Sequence, residues 1–139
     1  SDETLRQVPL EAFFRSMALG LKSEETQHLH ETVYVIISDE KRNFVLTIRH
    51  GVLEIAEETP LPGTPPAKAS ITTDGLTWRK MCLGVANPTV EIVAGRATVK
   101  GSLQMVRRFS NYFDCPSEYE RPQNTRRELT SVMPAKAIP

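Results

Sequence analysis

Long hydrophobic runs are missing from this sequence of 139 residues, and no apolar stretch approaches the roughly 20 residues that a helix needs to cross a bilayer. A net charge is missing as well. The 17 Lys and Arg residues balance 17 Asp and Glu, which removes any electrostatic reason to expect a polyanionic partner such as nucleic acid. The first residues show neither the basic nor the apolar region of a secretory signal, and the polar start fits a soluble domain taken from a longer chain. Cysteine is scarce: Cys82 and Cys115 are too few and too far apart for a metal knuckle or a redox pair. One optional disulfide suits either an oxidising or a reducing environment, so the compartment stays open between cytoplasmic and periplasmic or secreted. There is no Gly-x-Ser-x-Gly, no acidic pair in an apolar frame and no glycine-rich phosphate loop. These absences imply a chain that by itself is not an enzyme and requires no cofactor.

The length fits one domain able to bury about two-thirds of its unfolded surface. Pro9 suits the first position of a helix, where its missing N–H costs nothing, and Leu10, Phe13, Phe14, Met17 and Leu21 then recur on one face. Gly20 ends that helix, and Ser23 to Thr26 add a short turn. The period then changes. Tyr34 to Ile37 form a β-branched run, while Phe44, Leu46 and Ile48 alternate with Val45, Thr47 and Arg49. With turns at Asp39 to Asn43 and at His50-Gly51, residues 31 to 57 read as a three-stranded antiparallel meander.

Four prolines between Pro60 and Pro66 can continue neither ladder nor helix, so this stretch reads as a crossover loop. Ala69, Ile71 and Thr73 mark a fourth strand. A helix bearing Trp78, Met81, Cys82 and Val85 follows, then a short one capped by Asn87 with Pro88 at its first position and running from Val90 to Ala94. Gly95 and Gly101 bracket a fifth strand. Ser102 caps a last helix whose apolar face carries Met105, Val106, Phe109, Tyr112 and Phe113. The expected fold class is α+β: a five-stranded, mostly antiparallel or mixed sheet with helices packed on one face.

This order of elements resembles the sterol carrier protein type 2 fold, and in particular the lipid-binding domain at the C-terminus of alkyl sulfatases. The residues that carry the resemblance are the helix Pro9 to Phe14, the strand Gly51-Val52-Leu53 and the strand–glycine–helix unit from Gly95 to Phe113. Ser102 departs from the acidic residue common in relatives, and the strands hold less leucine. The resemblance implies a sterol-carrier-like domain over residues 1 to 114, enclosing an apolar tunnel between sheet and helices. It implies a lining of Phe13, Met17, Trp78, Met81, Met105, Phe109 and Phe113. The ligand so implied is a hydrophobic small molecule: an alkyl sulfate, a fatty acid or another lipid. The implied role is to present the aliphatic tail of a sulfate ester to a separate zinc hydrolase domain of the same polypeptide. A structural interaction domain with a filled core, used for assembly, and a free-standing sterol or acyl carrier are the alternatives. Three methionines on helix stripes and five phenylalanines favour adaptable packing and hence a cavity.

Residues 115 to 139 form a proline-rich tail with Val132, Met133 and Ile138 as its apolar anchors. It is expected to pack on its own domain or on a partner. Arg107-Arg108 and Arg126-Arg127 read as solvated surface; the alternative that the alkyl sulfatase resemblance implies for the first pair is a place near a cavity mouth, drawing in anionic head groups. His28-Leu29-His30 is the one metal-like spacing. The alkyl sulfatase catalytic domain carries His-x-His-x-Asp-His, but Thr32 and Val33 stand here in place of its Asp and last His. The chain is therefore expected to bind no stoichiometric zinc. Elemental analysis after dialysis against a weak chelator checks this, and one zinc per chain would overturn it.

Overall fold

The computed structural model describes residues 1–115, so the expected anchors of the tail, Val132, Met133 and Ile138, lie outside the described residues. The chain opens with α1 (Asp2–Gln7), α2 (Leu10–Gly20) and a 3-10 turn (Glu24–Thr26). The meander follows as β1 (His30–Ile37), β2 (Arg42–Arg49) and β3 (Val52–Glu57). The remainder is β4 (Ala69–Thr73), α3 (Gly75–Leu83), α4 (Pro88–Val93), β5 (Ala97–Gly101) and α5 (Leu103–Ser110).

Local chemistry sets most of these boundaries. Asp74, Asn87 and Ser102 cap α3, α4 and α5, each accepting a hydrogen bond from a backbone N–H of the first turn. At Asp74 burial alone would raise the pKa, but hydrogen bonds from Thr77 and neighbouring backbone groups outweigh it and hold the carboxyl below its ordinary range. Gly84 closes α3 in the left-handed conformation at φ 77°. His50 and Gly51, both at positive φ (48° and 83°), make the two-residue turn between β2 and β3, the geometry that matches the twist of a hairpin.

Three sequence expectations shift. Pro9 is the N-cap of α2 instead of its first residue. Val85 lies beyond α3 and is 64% exposed, since Gly84 turns the chain before another helical turn can bury it. Tyr112 and Phe113 lie beyond α5, which ends at Ser110 because the backbone there enters a bridge with Leu21. A further helix, α1, has no apolar stripe to announce it. Ser1 caps it, and Arg79 ties its end down by donating from Nε to the carbonyl of Val8 at 2.9 Å.

The strands form one mixed sheet in the order β3-β2-β1-β4-β5. Only the β1–β4 pairing is parallel, with Val35 opposite Ile71, and the other three are antiparallel. One face of the sheet presents Val33, Val35, Ile37, Phe44, Leu46, Ile48 and Ile71, and large helical side chains cluster with them in the core. These include Leu10 and Phe14 of α2, Trp78 and Met81 of α3, and Met105, Val106 and Phe109 of α5. β3 and β4 both run parallel to β1, so the proline-rich connection must travel the length of the sheet and pass β2 and β1. The helices occupy the first face, which leaves the second for that crossing. There Thr32 and Thr47 are buried with their hydroxyls 3.0 Å apart.

Arginines tie helices to the sheet and to its turns, Arg108 of α5 by pairing with Glu31 of β1 at 2.7 Å. Arg79, only 3% exposed, pairs with Glu40 of the β1–β2 turn at 2.6 Å and stacks over Phe13 with its guanidinium carbon 5.8 Å from the ring centroid. Arg42 of β2 holds Glu57 of β3 in a two-pronged pair at 2.7 and 2.8 Å and also binds Glu11 of α2. Those contacts hold the carboxyls of Glu57 and Glu11 below the ordinary glutamate range and raise the pKa of Arg42. A depressed carboxylate pKa stabilises the fold above the unfolded value and loses that contribution as pH falls through the folded value. Stability should therefore hold from neutrality to about the ordinary value of 4.5 and decline below it. Urea titrations at successive pH values check this. A Glu11→Gln, Glu57→Gln double variant should start less stable at neutrality and lose less on acidification.

Candidate functional site

The helices do not cover the whole apolar face of the sheet. A cavity of about 400 Å³ remains, floored by Val33 and Val35 of β1, Leu46 of β2 and Ile71 of β4. Its walls are Ser16 and Met17 of α2, Trp78, Met81 and Cys82 of α3, and Val106 and Phe109 of α5. The segment Gly84 to Pro88 completes one side, and Phe113 to Cys115 complete another. The floor is wholly aliphatic and therefore offers an entering molecule apolar surface only.

The rim is polar. Lys22, Ser110, Asn111 and Asp114 border the cavity where the end of α2 meets the end of α5. The Nζ of Lys22 donates to the carbonyl of Asn111 at 3.1 Å and lies 3.9 Å from the Asp114 carboxylate. The backbone closes this junction by itself: Lys22 N–H donates to Tyr112 O and Asp114 N–H to Gly20 O, both at 2.8 Å. Gly20 is required there, because a Cβ on it would stand 2.3 Å from the carbonyl oxygen of Asp114.

Of the seven residues expected as lining, Met17, Trp78, Met81, Phe109 and Phe113 border the cavity. Met17 is half-buried although it sits on the buried stripe of α2, because it faces the cavity instead of packed core. Phe13 and Met105 do not border it. Phe13 lies one turn before Met17 on α2, under Arg79. Met105 is only 2% exposed in the first turn of α5, where its sulfur meets the Arg108 guanidinium at 3.1 Å. Helical spacing groups residues on one face but does not say which turn of that face meets packed core and which meets a void.

Sequence reasoning missed the floor, Val33, Val35, Leu46 and Ile71. Their alternation marked them as buried, but an aliphatic residue under a helix and one under a cavity read alike. Lys22 was also missed. Arg107 and Arg108 do not reach the rim: Arg107 is exposed and Arg108 pairs with Glu31 at 2.7 Å.

The chemistry available in the cavity is that of contact and hydrogen bonding. Burial, with a smaller contribution from nearby Cys115, pushes the Cys82 thiol well above its ordinary value, so it stays protonated and a poor nucleophile at neutral pH. His28 and His30 are exposed, and the ring of His30 lies 5.9 Å from that of His50. Among the described residues no group of three or more His, Cys, Asp or Glu is placed to hold a metal ion, and no helix is long and apolar enough to cross a membrane. Two buried side-chain atoms, Trp78 Nε1 and Glu31 Oε2, have no hydrogen-bond partner among the described residues.

Comparison with known proteins places this architecture. The alkyl sulfatase C-terminal family model matches residues 1–119. The stereoselective inverting sec-alkylsulfatase Pisa1 from Pseudomonas sp. superposes with a TM-score of 0.69 at 20% identity, covering 81% of this chain and 17% of Pisa1. A double mutant of that enzyme gives a TM-score of 0.70 at 20% identity over 82% of this chain and 18% of its own. The chain thus spans less than a fifth of the length of these proteins. Apo sterol carrier protein 2 from Yarrowia lipolytica shares the fold with a TM-score of 0.53 at 14% identity, over 71% of this chain and 84% of its own. No curated protein sequence matches the chain significantly.

The junction at Gly20 generates a prediction with an unusual sign. Alanine in place of a helical glycine ordinarily stabilises by about 0.5–1 kcal/mol. Here Gly20→Ala should instead cost about 1–3 kcal/mol, because its Cβ meets backbone that cannot rotate away. Chemical denaturation gives the sign directly.

Proposed function

The chain belongs to the alkyl sulfatase C-terminal family, and on that premise we propose that it is a non-catalytic lipid-binding accessory module that holds the aliphatic part of an amphiphile. The observation that carries this reading is the aliphatic cavity of about 400 Å³ beneath α3 and α5, at a size common for ligand pockets. Its floor takes the hydrocarbon, and the polar rim at Lys22, Ser110 and Asn111 meets the head group, where an ammonium suits an anionic sulfate or carboxylate. Methionines at 17 and 81 adapt the walls to chains of different shape. The fold shared with sterol carrier protein 2 supports the same assignment.

In this reading the module does no chemistry itself. It supplies binding free energy for the tail, while a separate zinc hydrolase domain of the same polypeptide cleaves the sulfate ester. Tail binding away from the reacting group is useful to such an enzyme because it raises the local concentration of a substrate with few polar handles.

Each methylene moved from water into the cavity gains about 0.8 kcal/mol, so two added carbons should tighten binding by roughly tenfold. Affinities of alkyl sulfates and fatty acids, read from the emission of Trp78 below micelle concentrations, should rise from about eight to about twelve carbons and then level off. Phe109→Ala should weaken the longest chains by several-fold. Affinity without chain-length dependence would instead favour a structural interaction domain.

A further inference from the structure

Cys82 and Cys115 are the only cysteines of the chain and stand far apart in it, yet the fold brings both to the wall of one cavity. Cys82 belongs to the last turn of α3, and Cys115 lies in the segment that leaves α5 and closes another side. The Sγ of Cys115 is 3.9 Å from the carbonyl oxygen of Met81, which belongs to the peptide unit joining Met81 to Cys82. One thiol therefore sits a single peptide unit from the residue that carries the other. Cys115 also adds to the burial that opposes ionisation of Cys82, so the two sulfurs lie within electrostatic reach of each other. No disulfide joins them, and each residue keeps partial exposure.

The segment that carries Cys115 is fixed toward α2 by its backbone, with Lys22 N–H donating to Tyr112 O and Asp114 N–H to Gly20 O, both at 2.8 Å. Toward α3 the Cys115 thiol makes a long contact with Met81 O, and a thiol is a weak donor. A covalent bond at that seam would fasten α3 to a segment that α2 already holds. Two walls of the cavity would then move as one.

We propose that Cys82 and Cys115 form a reversible disulfide by exchange with low-molecular-weight disulfides, and that this bond fastens two cavity walls together and slows exchange of the occupant. The effect on the occupant rests on the reading of the cavity as a site for aliphatic chains; the pairing of the thiols does not. The reaction runs in two steps. Cys115, as a thiolate, attacks one sulfur of glutathione disulfide, whose S–S bond breaks and releases a glutathione thiolate. Cys82 gives its proton to solvent, attacks the Cys115 sulfur of the mixed disulfide and expels the second glutathione. Two protein thiols are oxidised by two electrons in all, and one glutathione disulfide is reduced to two glutathione thiols, which take up the two protons lost. The order follows from Cys82, which its burial holds protonated and so makes the slower thiol to attack.

Glutathione buffers of graded ratio test the pairing, with the products alkylated, weighed and mapped as peptides. The folded protein should form the Cys82–Cys115 disulfide at a ratio at least about tenfold less oxidising than the same chain in urea, because the fold holds the thiols together. Oxidation no easier in the folded protein than in urea, or glutathione adducts and cross-linked dimers in place of the internal bond, would overturn the proposal. Cys82→Ser should stop at the mixed disulfide on Cys115, and the comparison on the unaltered protein decides the matter even where that variant folds poorly. Dissociation of dodecanoate, followed by the emission of Trp78, should be severalfold slower from the oxidised protein and recover on reduction. Equal rates from the two forms would overturn the proposal while leaving the aliphatic site standing. Failure of dodecanoate to bind either form would remove that site and the effect on exchange with it, while the glutathione ratios still decide the pairing.

Discussion

Val33, Val35, Leu46 and Ile71 come from three adjacent strands and need an apolar cover, and the arrangement of the whole domain follows from how that cover is supplied. Each is nearly inaccessible, with exposures of 5% or less. Leaving any one of them in water would forfeit about 1.5–3 kcal/mol. The side chains of three helices supply most of that cover and still leave a cavity among them. α2 and α3 meet through Phe14 and Trp78, α5 approaches through Val106 and Phe109, and the space between stays unfilled. Such a void sacrifices dispersion contacts that a packed core would make, so the domain retains binding capacity at some expense in stability.

The geometry of the void is fixed at its margins by polar contacts. The paired backbone hydrogen bonds linking Gly20 and Lys22 to Tyr112 and Asp114 hold the ends of α2 and α5 at a set distance. Arg79 anchors α3 to the linker before α2 and to the β1–β2 turn. Arg42 fastens α2 to β2 and β3 from the other side. A helix resting on flexible side chains alone would slide into the void. These anchors make an open cavity compatible with a defined fold.

Much of this fold was legible in the sequence because its signals are local. The Asn87-Pro88 cap, the His50-Gly51 turn, the switch from a helical to an alternating period after Leu29 and the cluster of prolines from Pro60 each act within a few residues. α1 was not legible, since its six residues bury nothing and no apolar stripe marks them. The length of α5 was misread for a related reason. Tyr112 and Phe113 keep the helical spacing, but their backbone is claimed by Leu21, some ninety residues earlier.

The candidate site divides along the same line. The sequence by itself determined that Met17, Trp78, Met81 and Phe109 lie on apolar helix faces, because period and side-chain type are properties of neighbouring residues. It determined equally that no run of residues builds a phosphate loop or a nucleophile elbow. Only the tertiary structure decided that Phe13 and Met105, on the same stripes, face Arg79 and Arg108 instead of a void. Only it brought Lys22 to the rim, and only it left the indole N–H of Trp78 without an acceptor. A void and an unmet hydrogen bond are absences of contact among residues distant in the chain, and no local pattern encodes what distant residues fail to touch.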